Sequence, residues 1–216
     1  KLMSKIEENK VDNNIDILNN KRHWVAASTH DGEEVFCLKT HLLLKEKYKD
    51  IITIIAPRHI SRVNSIKTSC KNLNLTFQIL EKNQKISLNE EIIIVNSFGV
   101  VQHFFKHAKS VFVGKSTLAK LKKVGGQNPI EAAKSSCKIY HGPFVYNFEE
   151  IYKILEENGV SKIVKNSKEL SDCLLKDLEN SKKIDNKISN IVNNLGQKTL
   201  IDTMSNINKF LSNEII

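Results

Sequence analysis

An α/β fold with a parallel sheet covered by helices on both faces is predicted by three observations. Short β-branched runs alternate with amphipathic segments through some 140 residues. Glycine, proline and histidine concentrate just after those runs. The runs lack the strict polar alternation of a half-exposed antiparallel sheet, as expected for strands buried on both faces.

The elements follow in order. "WVAAS" (24–28) is a short buried strand. "EEVFCLKTHLLLKEKY" (33–48) is a helix with Val35, Leu38 and Leu42 as its apolar stripe. "IITIIAP" (51–57) is a β-branched strand ended by proline. "SRVNSIKTSCKNLN" (61–74) is a helix, "LTFQIL" (75–80) and "EIIIVNS" (91–97) are strands, and "VVQHFFKHA" (100–108) is a helix. "SVFVG" (110–114) is a strand, "PIEAAKSS" (129–136) a helix, "CKIYHG" (137–142) a strand, "NFEEIYKILEEN" (147–158) a helix and "SKIVKN" (161–166) a strand. From Ser167 onward the pattern is helical, with Gly196 separating two helices. Three regions result: a linker over 1–22, a Rossmann-like domain over 23–166 and C-terminal helices over 167–216. The start at Lys1, without a methionine, reads as a piece of something longer.

Net charge is +9, from 33 Lys and Arg against 24 Asp and Glu. Such an excess attracts polyanions: nucleic acid, an anionic membrane surface or phosphorylated substrates. An Asn-, Ile- and Lys-rich composition from an AT-biased genome accounts for it equally well. The nine Phe, four Tyr and single Trp are not interleaved with the basic residues, which argues against a stacking platform for single strands. Cys37, Cys70, Cys137 and Cys173 show no C-x-x-C spacing and read as buried small hydrophobes in a reducing compartment. No apolar run reaches membrane-spanning length, and no signal peptide is visible.

In a parallel sheet, ligands bind outside the carboxyl ends of the strands. Two glycine turns there are candidates for an anion. Gly114-Lys115-Ser116-Thr117 looks like the end of a triphosphate-binding loop, but Lys109 stands where that motif needs glycine. Gly125-Gly126-Gln127-Asn128-Pro129 is the better candidate. The glycines permit close backbone approach, Asn128 is a good N-cap, and Pro129 suits the first helical position. Glu131 completes a capping-box spacing, and the helix start would offer N–H groups to a phosphate. The same residues also describe a well-capped helix with no ligand.

Arg58 follows a strand directly and suits stacking or anion pairing. His30 follows Ser28 and Thr29 at the first strand's mouth, and Asp31 with Glu34 has capping-box spacing. A serine hydrolase is disfavoured by the lack of a G-x-S-x-G elbow. His103 and His107 share a helical face, but no H-E-x-x-H carboxylate lies between them.

Six blocks, "WVAASTHDGEE" (24–34), "APRH" (56–59), "NSFG" (96–99), "FVG" (112–114), "GGQNPIEAA" (125–133) and "GPFVYNFEEI" (142–151), occur in an order and spacing that resemble the C-terminal half of the 3-deoxy-D-manno-octulosonic acid (Kdo) transferases. The resemblance covers about residues 24–170. It implies the C-terminal domain of a two-domain GT-B glycosyltransferase that moves Kdo from CMP-Kdo to a lipid A precursor in lipopolysaccharide biosynthesis. The implied location is the cytoplasmic face of the inner membrane, with no cofactor and no metal in the nucleotide site. The N-terminal domain would hold the acceptor and the catalytic base, so no catalytic residue is expected in this chain.

By the same resemblance, Pro57 and Arg58 would lie against cytosine, and Phe98 and Gly99 would line the nucleotide cleft. Gly125, Gly126 and Asn128 would face the phosphate, and Glu131 would bind the ribose hydroxyls. Ser28, His30 and Glu33 would line the domain cleft. Expected partners are CMP-Kdo, a lipid A precursor and an anionic membrane surface, with no nucleic acid. The family usually has His at Gln127 and Gly-Glu-Leu at Gly99-Val100-Val101, and the basic 115–124 loop reads longer than usual. Alternative readings are a non-catalytic Rossmann-like scaffold and, from charge alone, a nucleic-acid-binding domain.

Overall fold

The computed structural model describes residues 14–179 and Met204. Residues 1–13 of the expected 1–22 linker and the expected helices beyond Glu179, with their break at Gly196, lie outside the described residues.

Seven strands form one sheet, in the order β3-β4-β2-β1-β5-β6-β7. They are β1 (His23–Thr29), β2 (Ile52–Pro57), β3 (Phe77–Leu80), β4 (Ile92–Val95), β5 (Ser110–Val113), β6 (Lys138–His141) and β7 (Ser161–Ile163). Every neighbouring pair is parallel. Helices α1 (Glu33–Lys47), α2 (Val63–Asn72), α3 (Val101–His107), α4 (Ile130–Lys134), α5 (Glu149–Glu157) and α6 (Ser167–Glu179) connect or follow them. The seven strands and five helices predicted over residues 24–166 all exist, each within a few residues of its predicted bounds, and the helix expected from Ser167 starts there as α6.

The period-2 geometry of the strands splits their side chains between two cores. Val25 and Ala27 of β1 and Ile93 and Val95 of β4 face one core, closed by Phe104, Ala132, Ala133 and Tyr152. Trp24 and Ala26 of β1 and Ile92 and Ile94 of β4 face the other, closed by Leu38, Ile66, Leu170 and Leu174. Burying each large side chain contributes about 1.5–3 kcal/mol before entropy is counted.

Three expectations need correcting. The 1–22 linker is in part domain: Ile15–Asn20 forms a 3-10 turn whose Ile15 and Leu18 join the first core. A three-residue repeat stacks those two side chains on one side. The α1 stripe is centred elsewhere than Val35, Leu38 and Leu42. Val35 is exposed and Leu42 half-buried, while Cys37, Leu38, His41 and Leu44 face inward. The polar member at His41 displaced the apolar count. Finally, α6 belongs to the sheet domain, since Leu170, Cys173 and Leu174 pack into the second core.

From β1 the chain steps out to β2 and on to β3 at the sheet's edge, inserts β4 between those two, then crosses to lay β5 on the other flank of β1. The sheet's topological switch therefore falls between β1 and β5, where a parallel sheet opens its crevice.

Candidate nucleotide-sugar site

The loops at the carboxyl edge carry most of the residues that the sequence singles out. Arg58 leaves β2 exposed, and its backbone N–H donates to the Thr29 carbonyl at 3.0 Å. Phe98, after β4, is 67% exposed, unusual for a large apolar ring and fitting for a contact surface. Gly99 has φ 77°, and a Cβ there would meet nothing within 4 Å. Ser28, in the left-handed region at φ 55°, and His30 turn the chain at the end of β1. The His30 ring sits 3.1 Å from the Ser28 carbonyl through Nδ1 and meets the His59 ring edge-on at 5.8 Å. Partial burial lowers the His30 pKa, against the opposing pull of the Ser28 carbonyl and Glu33.

The first glycine turn does hold an anion, and the anion is internal. Glu33 is fully buried. Its Oε1 accepts from the Ser116 N–H (2.8 Å), the Thr117 N–H (3.0 Å) and the Thr117 hydroxyl (2.9 Å). Its Oε2 accepts from the Lys115 N–H (2.5 Å) and the His30 N–H (3.0 Å). Glu33 is thus no cleft-lining residue, contrary to expectation. Five inward donors recover what burial takes from a carboxylate, so it turns away from solvent. The capping interaction at α1 also shifts by one residue. Glu33 takes the His30 N–H, while Glu34 and Asp31 both pair with Arg62, at 3.3 and 2.6 Å.

The second turn is capped as expected in one half. Asn128 Oδ1 accepts the Ile130 N–H at 2.9 Å, and Pro129 has near-helical angles. The Glu131 half differs: its exposed carboxylate faces Lys134 at 3.7 Å, so no capping box closes. Gly125 and Gly126 are both buried. Their N–H groups donate to the Leu121 carbonyl (2.6 Å) and the Lys115 carbonyl (2.7 Å). The close approach these glycines allow is to the backbone of Phe144 and Val145. Their N–H groups therefore stabilise the turn, and the groups left facing out are the Asn128 and Glu131 side chains.

Among the residues where the family pattern departs, Val100 is buried in the first core, and the Gln127 carbonyl accepts the Tyr152 hydroxyl at 2.9 Å. The 115–124 loop contains a 3-10 turn, Ala119–Leu121, anchored by buried Leu121. His107 is bonded to Asn19 at 2.8 Å, with Asp16 at 3.6 Å. All four cysteines are buried, as small hydrophobes would be. Burial pushes the Cys70 thiol to about 12. A hollow lined by Asn19, Arg22, His23, Asp50 and Leu178 lies at the amino edge of the sheet, away from the candidate loops. Missed altogether in the sequence was the Glu33 hub. Apart from the His30 N–H, its donors belong to residues more than 80 positions away, and no local spacing signals them.

The comparisons agree with the resemblance. No protein-family model matches the chain. The 3-deoxy-D-manno-octulosonic acid transferase of Haemophilus influenzae is 33% identical over 141 residues, 65% of this chain and 32% of that protein. The same-named protein of Rickettsia prowazekii is 34% identical over 191 residues, 86% of this chain and 40% of its own. That of Rickettsia typhi is 36% identical over 157 residues, 73% and 33%. The chain thus spans about a third to two-fifths of the length of these relatives. Among solved structures, the C-terminal CMP-Kdo binding domain of WaaA from Acinetobacter baumannii superposes with a TM-score of 0.72 at 22% identity, covering 84% of this chain and 92% of that one. The predicted fold, a Rossmann-like sheet of the GT-B C-terminal kind, is borne out by that match.

Proposed function

We propose that this chain is the donor-binding domain of a Kdo transferase, holding CMP-Kdo at the carboxyl edge of its sheet for transfer to a lipid A precursor. The observation that carries the reading is the placement of the six family-like blocks. All of them supply loops at the same edge of one parallel sheet, beside the switch between β1 and β5.

In this reading Pro57 and Arg58 face the cytosine, the guanidinium stacking on the base or donating to the acceptors on its polar edge. Phe98 and Gly99 wall the nucleotide cleft. Glu131 takes the ribose hydroxyls, and Asn128 faces the phosphate. Gly125 and Gly126 contribute shape, placing the start of α4. When the Kdo–phosphate bond breaks, negative charge grows on the departing CMP. Preorganised donors at that position lower the barrier, and one such donor is worth about 2.7–4 kcal/mol. The base that deprotonates the acceptor comes from the rest of the longer enzyme.

The net charge of +9 has a use in the same scheme. It favours an anionic membrane surface and a phosphorylated acceptor, as would suit work at the cytoplasmic face of the inner membrane. Titration of the chain with CMP by calorimetry tests the core of this reading. Saturable binding weakened by Arg58→Ala supports it. Salt-steep binding to DNA or RNA, with no response to CMP, would instead favour a nucleic-acid-binding domain.

A further inference from the structure

We infer that Glu33 is a positioning residue for the donor site: its carboxylate is a built-in anion that fixes four carboxyl-edge loops around itself. The inference rests on the donor-site reading above and concerns a buried residue that would not itself touch CMP-Kdo.

The polar contacts of Glu33 are all donors: the N–H groups of His30, Lys115, Ser116 and Thr117, and the Thr117 hydroxyl. An ionised carboxylate is acceptor-only, so the set is matched to that form. The turn itself has the shape of an anion-binding nest. Lys115 is left-handed at φ 59°, and successive N–H groups converge. Gly114 leaves the room. A Cβ there would lie 2.7 Å from Glu33 Oε2 and 2.6 Å from the Ser28 carbonyl oxygen. A turn that reads like a phosphate loop is therefore closed to external phosphate, because a side chain already fills it.

The turn in turn holds its neighbours. The Lys115 carbonyl accepts the Gly126 N–H at 2.7 Å, and the Ser116 carbonyl accepts the Phe144 N–H at 2.9 Å. Ser116 Oγ accepts the Gly142 N–H at 2.9 Å and donates to the Val113 carbonyl at 2.8 Å. The loops after β1, β5 and β6 and the turn before α4 are thereby referenced to one carboxylate. Its loss would release the turn that places Asn128 and Glu131.

The test uses Glu33→Ala and Glu33→Gln in isotopically labelled chain, with sodium formate as the probe. In Glu33→Ala the amide resonances of Lys115, Ser116 and Thr117 move, and CMP affinity falls by about tenfold or more. Formate, entering the vacated nest, returns both. In Glu33→Gln the carboxamide fills the space but turns an NH2 toward N–H donors, so affinity falls and formate does not restore it. Unchanged CMP affinity in Glu33→Ala, or amides there that ignore formate, overturns the inference. Should Glu33→Ala fail to fold, the parent decides. Its Lys115–Thr117 amides stay in place as inorganic phosphate is added, and a saturable shift there would show a nest open to external anions. A parent that ignores CMP defeats the donor-site reading, while the formate response still tests the clamp.

Discussion

Gly125 and Phe144 stand backbone to backbone: a Cβ on Gly125 would lie 2.2 Å from the Phe144 carbonyl oxygen and 2.8 Å from that of Leu121. Neither neighbour is a side chain that could swing aside. The second glycine turn is therefore built first for packing, and any contact with a nucleotide depends on that packing.

Gly125→Ala must displace one of these segments. We expect a loss of several kcal/mol, as for other strained or overpacked core changes, with loss of CMP binding in parallel. Gly99→Ala is the contrast. Its φ of 77° imposes about 1–2 kcal/mol of left-handed strain, but the space around it is open. Thermal melts should show a large fall in Tm for the first and a small one for the second. A Gly125→Ala protein melting like the parent would contradict the geometry.

Arg58 and Phe98 sit exposed at the carboxyl edge of the sheet. Replacing either by alanine should leave stability within about 0.5 kcal/mol. A charged hydrogen bond to the nucleotide is worth about 1.5–3 kcal/mol, so Arg58→Ala should weaken CMP binding by roughly ten- to a hundredfold. Phe98→Ala should weaken it less, through lost ring contact. Calorimetric titration beside a thermal melt separates the two effects. A variant that binds normally removes its residue from the site.

The fold was legible because its signals are local. Ile92 to Val95 is a run of β-branched residues with no polar member, which in a chain of alternating helices can only be a buried parallel strand. Pro57 and Gly142 mark strand ends for equally local reasons. The site was legible only as a set of loops. A glycine that lets a ligand approach and a glycine that lets another strand of backbone approach are identical in sequence, so Gly125 was ambiguous. Glu33 was hidden for a related reason. A glutamate in the first turn of a helix ordinarily caps it or faces water, and the donors that bury this one belong to residues 115–117.

Helix α6 is tied to the sheet by Asp177. Its Oδ2 accepts the Ser110 hydroxyl at 2.7 Å and the Tyr140 hydroxyl at 2.6 Å. Asp177→Ala strands both hydroxyls at the strand edge, at a cost of about 2 kcal/mol or more. Leu174→Ala opens the apolar half of the same contact and should cost about 2–5 kcal/mol. Chemical denaturation measures both. Near-parent stability in both variants would mean that α6 is an appendage rather than part of the domain.

Two histidines are buried deeply enough that desolvation favours the neutral ring over the pull of nearby oxygens. His41 Nδ1 meets the Thr53 hydroxyl at 2.9 Å, and its Nε2 has no hydrogen-bond partner among the described residues. His141 Nδ1 meets the Gly142 carbonyl at 2.8 Å, and Glu156 lies 3.4 Å from its Nε2 without forming a hydrogen bond. Burial lowers each pKa from 6.5 to about 4. Below pH 6.5 the unfolded chain therefore takes up protons that the folded chain refuses. Stability should fall as pH drops from 6.5 toward 4 and level off below, with each ring adding a slope of up to about 1.4 kcal/mol per pH unit. Urea denaturation at a series of pH values measures that slope. His41→Leu lowers stability at pH 7, but it should reduce the acid slope by about one proton. If the variant keeps the parent's slope, His41 is not held neutral and the acid sensitivity lies elsewhere.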